Sequence, residues 1–221
     1  MNSLVLKLAA LLSMIIDHYG AIFHGDIAIY RIIGRLAFPI YCFLLVEGYS
    51  HTKDVKKYGI RLLCFALISE LPFDFAFFNR INFMHQNIFF TLFIGLITIY
   101  LIDNKDEKYN FNKIAVLAAA VVLSGLFFVD YGFVGIIYIL SFYLTKELPS
   151  VKRFFCIGLA MLFTNLFFMS ALQQFSLLAL PVLYFYNNER GPYNKIQQIL
   201  FYVAYPLHLL IFIVIRYFYT I

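Results

Sequence analysis

The chain has 221 residues, 63% hydrophobic and only 13% charged, with a mean hydropathy of +0.84, a composition that excludes an ordinary water-soluble domain. Its formal charge of +5 comes from Lys and Arg dispersed in short loops between apolar runs, which excludes a basic nucleic-acid patch and makes these residues topology signals. Cys42, Cys64 and Cys156 are odd in number, lie in apolar stretches and lack ligand spacing, so packing roles are expected and neither a metal site nor a disulfide framework is.

The expected fold is all-α: a single-domain polytopic integral membrane helical bundle of about nine transmembrane helices. A span needs about 20 mostly apolar residues. Breaks at polar, Gly and Pro clusters delimit helices near 4–23, 28–50, 57–78, 86–102, 113–129, 132–146, 153–169, 172–187 and 196–219. The first run carries Asp17 and His18 and lacks a small-residue cleavage site, so it reads as a retained span rather than a signal peptide. The weakest boundary is at Asp130, Tyr131 and Gly132, where a broken helix or a re-entrant segment would leave the same pattern. With 27 Phe, 17 Tyr and no Trp, any interfacial aromatic belt must be built from Tyr.

Every second loop is basic. Lys53, Lys56, Lys57 and Arg61 follow the second span, Lys105, Lys108 and Lys113 the fourth, Lys146, Lys152 and Arg153 the sixth, and Arg190 and Lys195 the eighth. This alternation places the amino terminus in the cytoplasm. It then puts Asp17, His18, Arg31, Arg35, Glu70, Asp74, His85, Gln86, Asn87 and Asp130 toward the outer side, with Glu47 and His51 near the cytoplasmic face.

Ionisable residues inside apolar sequence are costly and mark functional sites. Arg31 and Arg35 share a helix face, as do Glu70 and Asp74 around Pro72, so two cations could face two carboxylates. Such an arrangement serves either as buried ion pairs that fix helix docking or as a holder for an anionic or polar substrate. His18 follows Asp17 but points about 100° away around the helix, so the two do not form a dyad. If Asp17 is taken by an arginine, His18 is left as a general base; the structural alternative is a hydrogen-bonded core histidine. His208, in Tyr205-Pro206-Leu207-His208, is the second candidate base, on a helix that proline opens. His85, Gln86 and Asn87 could cap the fourth span or face a cavity, and Glu47 is similarly ambiguous. The cluster Lys53, Lys56, Lys57 and Arg61 could hold the phosphates of a nucleotide-like cofactor, although positive-inside bias explains it equally well. Gly-rich phosphate loops, HExxH and CxxC are absent, and Ser124-Gly125 lacks the preceding glycine of a GxSG nucleophile.

The segments IIDHYGAIF, IYRIIGRLAFPIYCFLLVEGYSHTKDVKKYGIRLLCFALISELPFDFAF, HQNIFFTLFIGL and FYVAYPLHLLIF together resemble the TraX family of bacterial membrane proteins. The likeness spans essentially the whole chain, densest from about residue 9 to 96 and in the last helix. The family's eponym is a pilin acetylase acting on the pilin amino terminus, and the family looks like a branch of the transmembrane acyltransferases. The resemblance implies a bacterial inner-membrane acetyltransferase, a cytoplasmic acetyl-CoA donor, an acceptor presented from the other side, and a histidine-based site. By position it marks Asp17 and His18, Gly34 and Arg35, and Tyr205 to His208. The acceptor is open: a peptide amino terminus, amine, sugar or lipid would fit. On this basis His18 or His208 is the base and Arg35 the cation that steadies the oxyanion. The rival functions are a transporter or proton-coupled carrier, weakened by the absence of repeat symmetry, and a non-catalytic assembly factor, for which the buried charges would be unexplained.

Overall fold

The computed structural model describes residues 1–103, 111–189, 191 and 194–219. Lys105, Lys108 and Arg190, which contribute to the expected charge alternation, lie outside the described residues, as does the side chain of Lys195. The described chain forms α1 (Ser3–Phe23), α2 (Ala28–Gly34), α3 (Ala37–His51), α4 (Val55–Phe78), α5 (Ile88–Asp103), α6 (Lys113–Leu126), α7 (Gly132–Leu144) and α8 (Ser150–Phe168). A 3-10 helix (Ala171–Leu178) then runs into α9 (Ala179–Tyr184), and α10 (Lys195–Tyr219) closes the fold. Each expected apolar segment is helical, and the fold is an all-α bundle. Among the described residues four stretches, Ser3–Phe23, Ala28–His51, Ser150–Phe168 and Ile196–Phe218, are long and apolar enough to cross a bilayer.

The helix limits have local causes. Asn2 and Asp54 cap α1 and α4 through side-chain oxygens that accept from Val5 N and Lys57 N at 3.1 and 2.9 Å. The second span is bent, α2 giving way to α3 across Arg35 and Leu36. Pro39 lies four residues beyond Arg35, so it can neither donate to the Arg35 carbonyl nor avoid crowding it. The doubtful boundary near residue 130 is a true turn: Phe128, Tyr131 and Gly132 take left-handed φ of 47°, 61° and 47° between α6 and α7. At the far end of α4, Arg216 donates to the carbonyls of Ala76 and Phe75 at 2.9 and 2.7 Å, satisfying groups that the helix end leaves open.

The core gathers α3, α5 and α7, with Tyr49, Phe43, Leu96, Ile99, Tyr138, Ile139 and Phe142 fully buried. A Cβ on Gly95 would lie 2.3 Å from Ile139 Cδ1, so α5 and α7 approach as closely as they do because residue 95 has no side chain. Tyr138 donates to Asn165 Oδ1 at 2.6 Å, and Asn165 Nδ2 donates to the Gln173 carbonyl at 3.0 Å, tying α7, α8 and the 3-10 helix together. The outside is greasy: Leu67, Val151, Phe155 and Phe167 are 62 to 74% exposed. Such an apolar exterior around a partly polar interior suits a hydrocarbon surround, not water.

Candidate active site

Asp17 and His18 stand in the last two turns of α1, and the bend between α2 and α3 brings Arg31 and Arg35 to them. The bend sits directly on α1, because a Cβ on Gly34 would fall 2.0 Å from Asp17 Oδ1 and 2.2 Å from Asp17 Cβ. Both arginines close on one carboxylate. Arg31 Nη1 reaches Asp17 Oδ2 at 2.9 Å, while Arg35 Nη2 reaches Oδ1 and Oδ2 at 2.8 and 2.7 Å. Arg35 is further held by Nη1 to Gln173 Oε1 at 3.2 Å and by Nε to the Arg31 carbonyl at 3.3 Å. Gly34→Ala should therefore lower stability by about 1–3 kcal/mol through overpacking and loosen the arginine pair; thermal unfolding of the purified variant checks it.

The two candidate histidines meet. His18 Nδ1 and His208 Nε2 are 2.7 Å apart, although 190 residues separate them. His208 Nδ1 is 2.9 Å from the Ala204 carbonyl, which can only accept. His208 must then carry its proton on Nδ1 and offer Nε2 as an acceptor, so His18 donates from Nδ1 and keeps the lone pair on Nε2. Phe77 and Tyr205 set their rings edge-on to His18 at 5.1 and 5.9 Å, fixing its plane. Among the described residues nothing in hydrogen-bonding contact reaches His18 Nε2, and His18 lines a cavity of about 330 Å³. Asp17, Arg31, Arg35, His85, Asp130 and Tyr131 line the same cavity, with Phe73, Phe77 and Tyr41 among its apolar walls.

His85 and Asp130 form its other polar wall, with His85 Nε2 3.6 Å from Asp130 Oδ1. Their loops are joined by a two-bond bridge, Gln86 N to the Phe128 carbonyl and Asp130 N to the Gln86 carbonyl, each 2.9 Å, and Thr91 donates to the Asp130 carbonyl. The Asp130 carboxylate raises His85 above the usual imidazole range, against the smaller opposing effect of burial. Because the folded-state value is raised, this contact contributes fully below about pH 6.5 and is lost as pH rises through the raised value. Asp130→Asn should move the His85 titration to lower pH, read from its imidazole NMR shifts.

Glu70 and Asp74, expected to face the arginines, do not. Glu70 accepts from Asn87 N at 3.2 Å and from the Asn87 side chain, while Asp74 accepts from Asn82 N at 2.9 Å. They bind the loop before α5, and Asn87 also donates to the Ala66 carbonyl at 2.8 Å. Gln86 turns its amide to the Phe83 carbonyl at 3.0 Å, away from any role as a ligand-facing side chain. Glu47 sits near Tyr186 and His51, at 3.4 and 3.6 Å, and does not line the cavity. The basic cluster is remote as well: sixteen residues of α4 separate Lys57 from cavity-lining Phe73, about 24 Å at helical rise. Lys57 pairs with Asp54 at 3.2 Å and Arg61 lies over the Tyr58 ring at 5.5 Å, whereas Lys53 and Lys56 are exposed. Gln173 was invisible to sequence reasoning, one amide in a Gln pair within a stretch of weak pattern, yet it is buried and anchors Arg35.

The fold and site define a helical membrane protein with a charged, histidine-bearing cavity near one end of its bundle. The family model described as TraX protein matches residues 3–216, and the chain belongs to that family. It is 29% identical over 151 residues to an uncharacterized protein of Rickettsia prowazekii (strain Madrid E), covering 67% of this chain and 58% of that protein. It is 33% identical over 108 residues to the probable fimbrial assembly protein FimC, serogroup H1, of Dichelobacter nodosus, covering 43% of this chain and 44% of that one. The chain thus spans about half the length of these curated relatives. No solved structure matches it.

Proposed function

We propose that this protein is an integral-membrane acetyltransferase that moves an acetyl group from acetyl-CoA to an amine or hydroxyl acceptor. The observation that carries the proposal is the His18 to His208 contact of 2.7 Å beside the cavity. His18 Nε2 takes the acceptor's proton as the nucleophile attacks the thioester carbonyl, and the new positive charge spreads through Nδ1 toward His208 Nε2. Collapse of the tetrahedral intermediate expels the thiolate, which the proton held by His18 neutralises. Asp17 and Arg35 hold the frame around the base. The relative named for fimbrial assembly favours a peptide amino terminus among the possible acceptors.

The donor's phosphates are assigned to the loop of Lys53, Lys56, Lys57 and Arg61. Arg61 Nε is buried without an acceptor among the described residues, and the exposed lysines add donors, so an anionic group fits there. A donor so held must extend its acyl arm about 24 Å, the helical rise from Lys57 to cavity-lining Phe73, to enter the cavity. Alternating loop charge supports a cytoplasmic donor side and an inner-membrane location. The test is calorimetric titration of the purified protein with CoA and acetyl-CoA, repeated with Lys53, Lys56 and Arg61 replaced by Ala, alongside thiol release from acetyl-CoA in membranes. Micromolar binding lost in the triple variant supports the assignment. A folded protein that binds neither nucleotide overturns it and favours a carrier.

A further inference from the structure

The two guanidiniums of the cavity are unequally used by their resting partners. Arg31 and Arg35 share the single carboxylate of Asp17 at 2.9 and 2.7 Å. Asp130 is the other carboxylate of the cavity, and it is matched to His85. Glu70 and Asp74 are turned into the loop before α5 and make no contact with either arginine among the described residues. The two guanidiniums also differ in what remains to them. Each nitrogen of Arg35 has an acceptor, and its side chain is 12% exposed. Arg31 engages only Nη1, on the Asp17 carboxylate and the Asp17 carbonyl, its side chain is 28% exposed, and it lines the cavity. Its Nε and Nη2 have no acceptor among the described residues.

A guanidinium does not shed its proton, so Arg31 is charged at rest and not only in a transition state. Arg31 meets the Asp17 carboxylate through Nη1 alone, and a planar edge with two open N–H donors matches a carboxylate or phosphate. We infer that the open edge of Arg31 is an anion-binding subsite, and that the acceptor carries a carboxylate or phosphate close to its nucleophilic amine or hydroxyl. The identification of the bound molecule as the acceptor rests on the acetyltransferase proposal; the anion subsite stands on Arg31 alone. Arg31 then fixes the ligand by its charge, with Phe73, Phe77 and Tyr41 closing around the remainder, and places its nucleophile toward His18 Nε2.

Equilibrium dialysis of the full chain in dodecyl maltoside, which has no phosphate, against labelled phosphate and labelled acetate at constant ionic strength tests the subsite. One saturable site is expected in the wild type, weakened about ten-fold or more in Arg31→Gln and retained in His18→Gln. Transfer into discs containing phosphatidylglycerol separates the sources: loss of acetate binding assigns the site to a lipid-borne phosphate, and its persistence assigns it to a soluble or peptide-borne anion. Should Arg31→Gln fail to fold, protection of Arg31 from phenylglyoxal by phosphate in the wild type reads the same contact. No saturable binding, no protection, or equal binding in folded Arg31→Gln overturns the inference. Failure of the acetyltransferase proposal shows separately, as anion binding without acetyl-CoA binding or thiol release.

Discussion

Asp17→Asn is expected to cost about 3–5 kcal/mol of stability, because it leaves two guanidiniums facing a neutral amide in a largely buried site. Asp17 is 8% exposed, and its two oxygens accept three of the arginine bonds at 2.7 to 2.9 Å. The pairing is not worth that much in itself; the cost arises from stranding the charges. Arg35, the less exposed of the two, should dominate it. Adding Arg35→Gln to Asp17→Asn should therefore recover part of the loss, with Gln173 available to the new amide. Thermal and denaturant unfolding in detergent, arranged as a double-mutant cycle, reads both values. An Asp17→Asn protein within about 0.5 kcal/mol of wild type would show that the ion pairs do not organise α1 against α2.

The second large effect concerns the histidines, and it separates a base from the residue that prepares it. On the proposal that the protein transfers acetyl groups with His18 as base, His18→Ala should cut transfer by about 10²–10⁴-fold, the usual contribution of a positioned general base. His208 does not line the cavity, so its effect passes through His18. In His208→Ala the tautomer of His18 loses its fixing acceptor, and activity should fall nearly as far. His208→Gln keeps an oxygen close to the position of Nε2, so His18 retains the correct tautomer while the onward path for positive charge is lost. A loss of only about ten-fold is expected there, with an altered pH profile of kcat. Equal losses in His208→Ala and His208→Gln, with unchanged pH profiles, would leave His208 a packing residue.

The wild-type contact also explains why His18 and Asp17 act separately despite being neighbours. Asp17 faces α2 and the two arginines, whereas His18, one step around the helix, faces α10 and His208. A soluble hydrolase would pair a histidine with a carboxylate; here the carboxylate is consumed by cations and a second neutral imidazole takes that place. In a site walled by Phe77, Tyr205 and Phe212, a neutral acceptor costs less to bury than a second charge.

Much of this was legible in the sequence, and for a clear reason. Hydropathy and loop charge act locally, so the helical segments and the alternation of basic loops are properties of consecutive residues, whereas the second span reads as one helix over 28–50 and the structure breaks it at Arg35 and Leu36. The cost of ionisable groups in apolar sequence likewise marked Asp17, His18, Arg31, Arg35, His85, Asp130 and His208 without reference to any partner. Partner choice was not local. Glu70 and Asp74 had the spacing to meet the arginines, and only the rotation of α4 turns them to Asn82 and Asn87 instead. The resting roles of Arg31 and Arg35 likewise follow from Gln173, far along the chain, reaching one and not the other. The joining of His18 to His208 depends on how α1 crosses α10. One-dimensional pattern sets which residues must be buried; helix rotation and crossing, set by packing contacts such as Gly34 against Asp17, decide which of them touch.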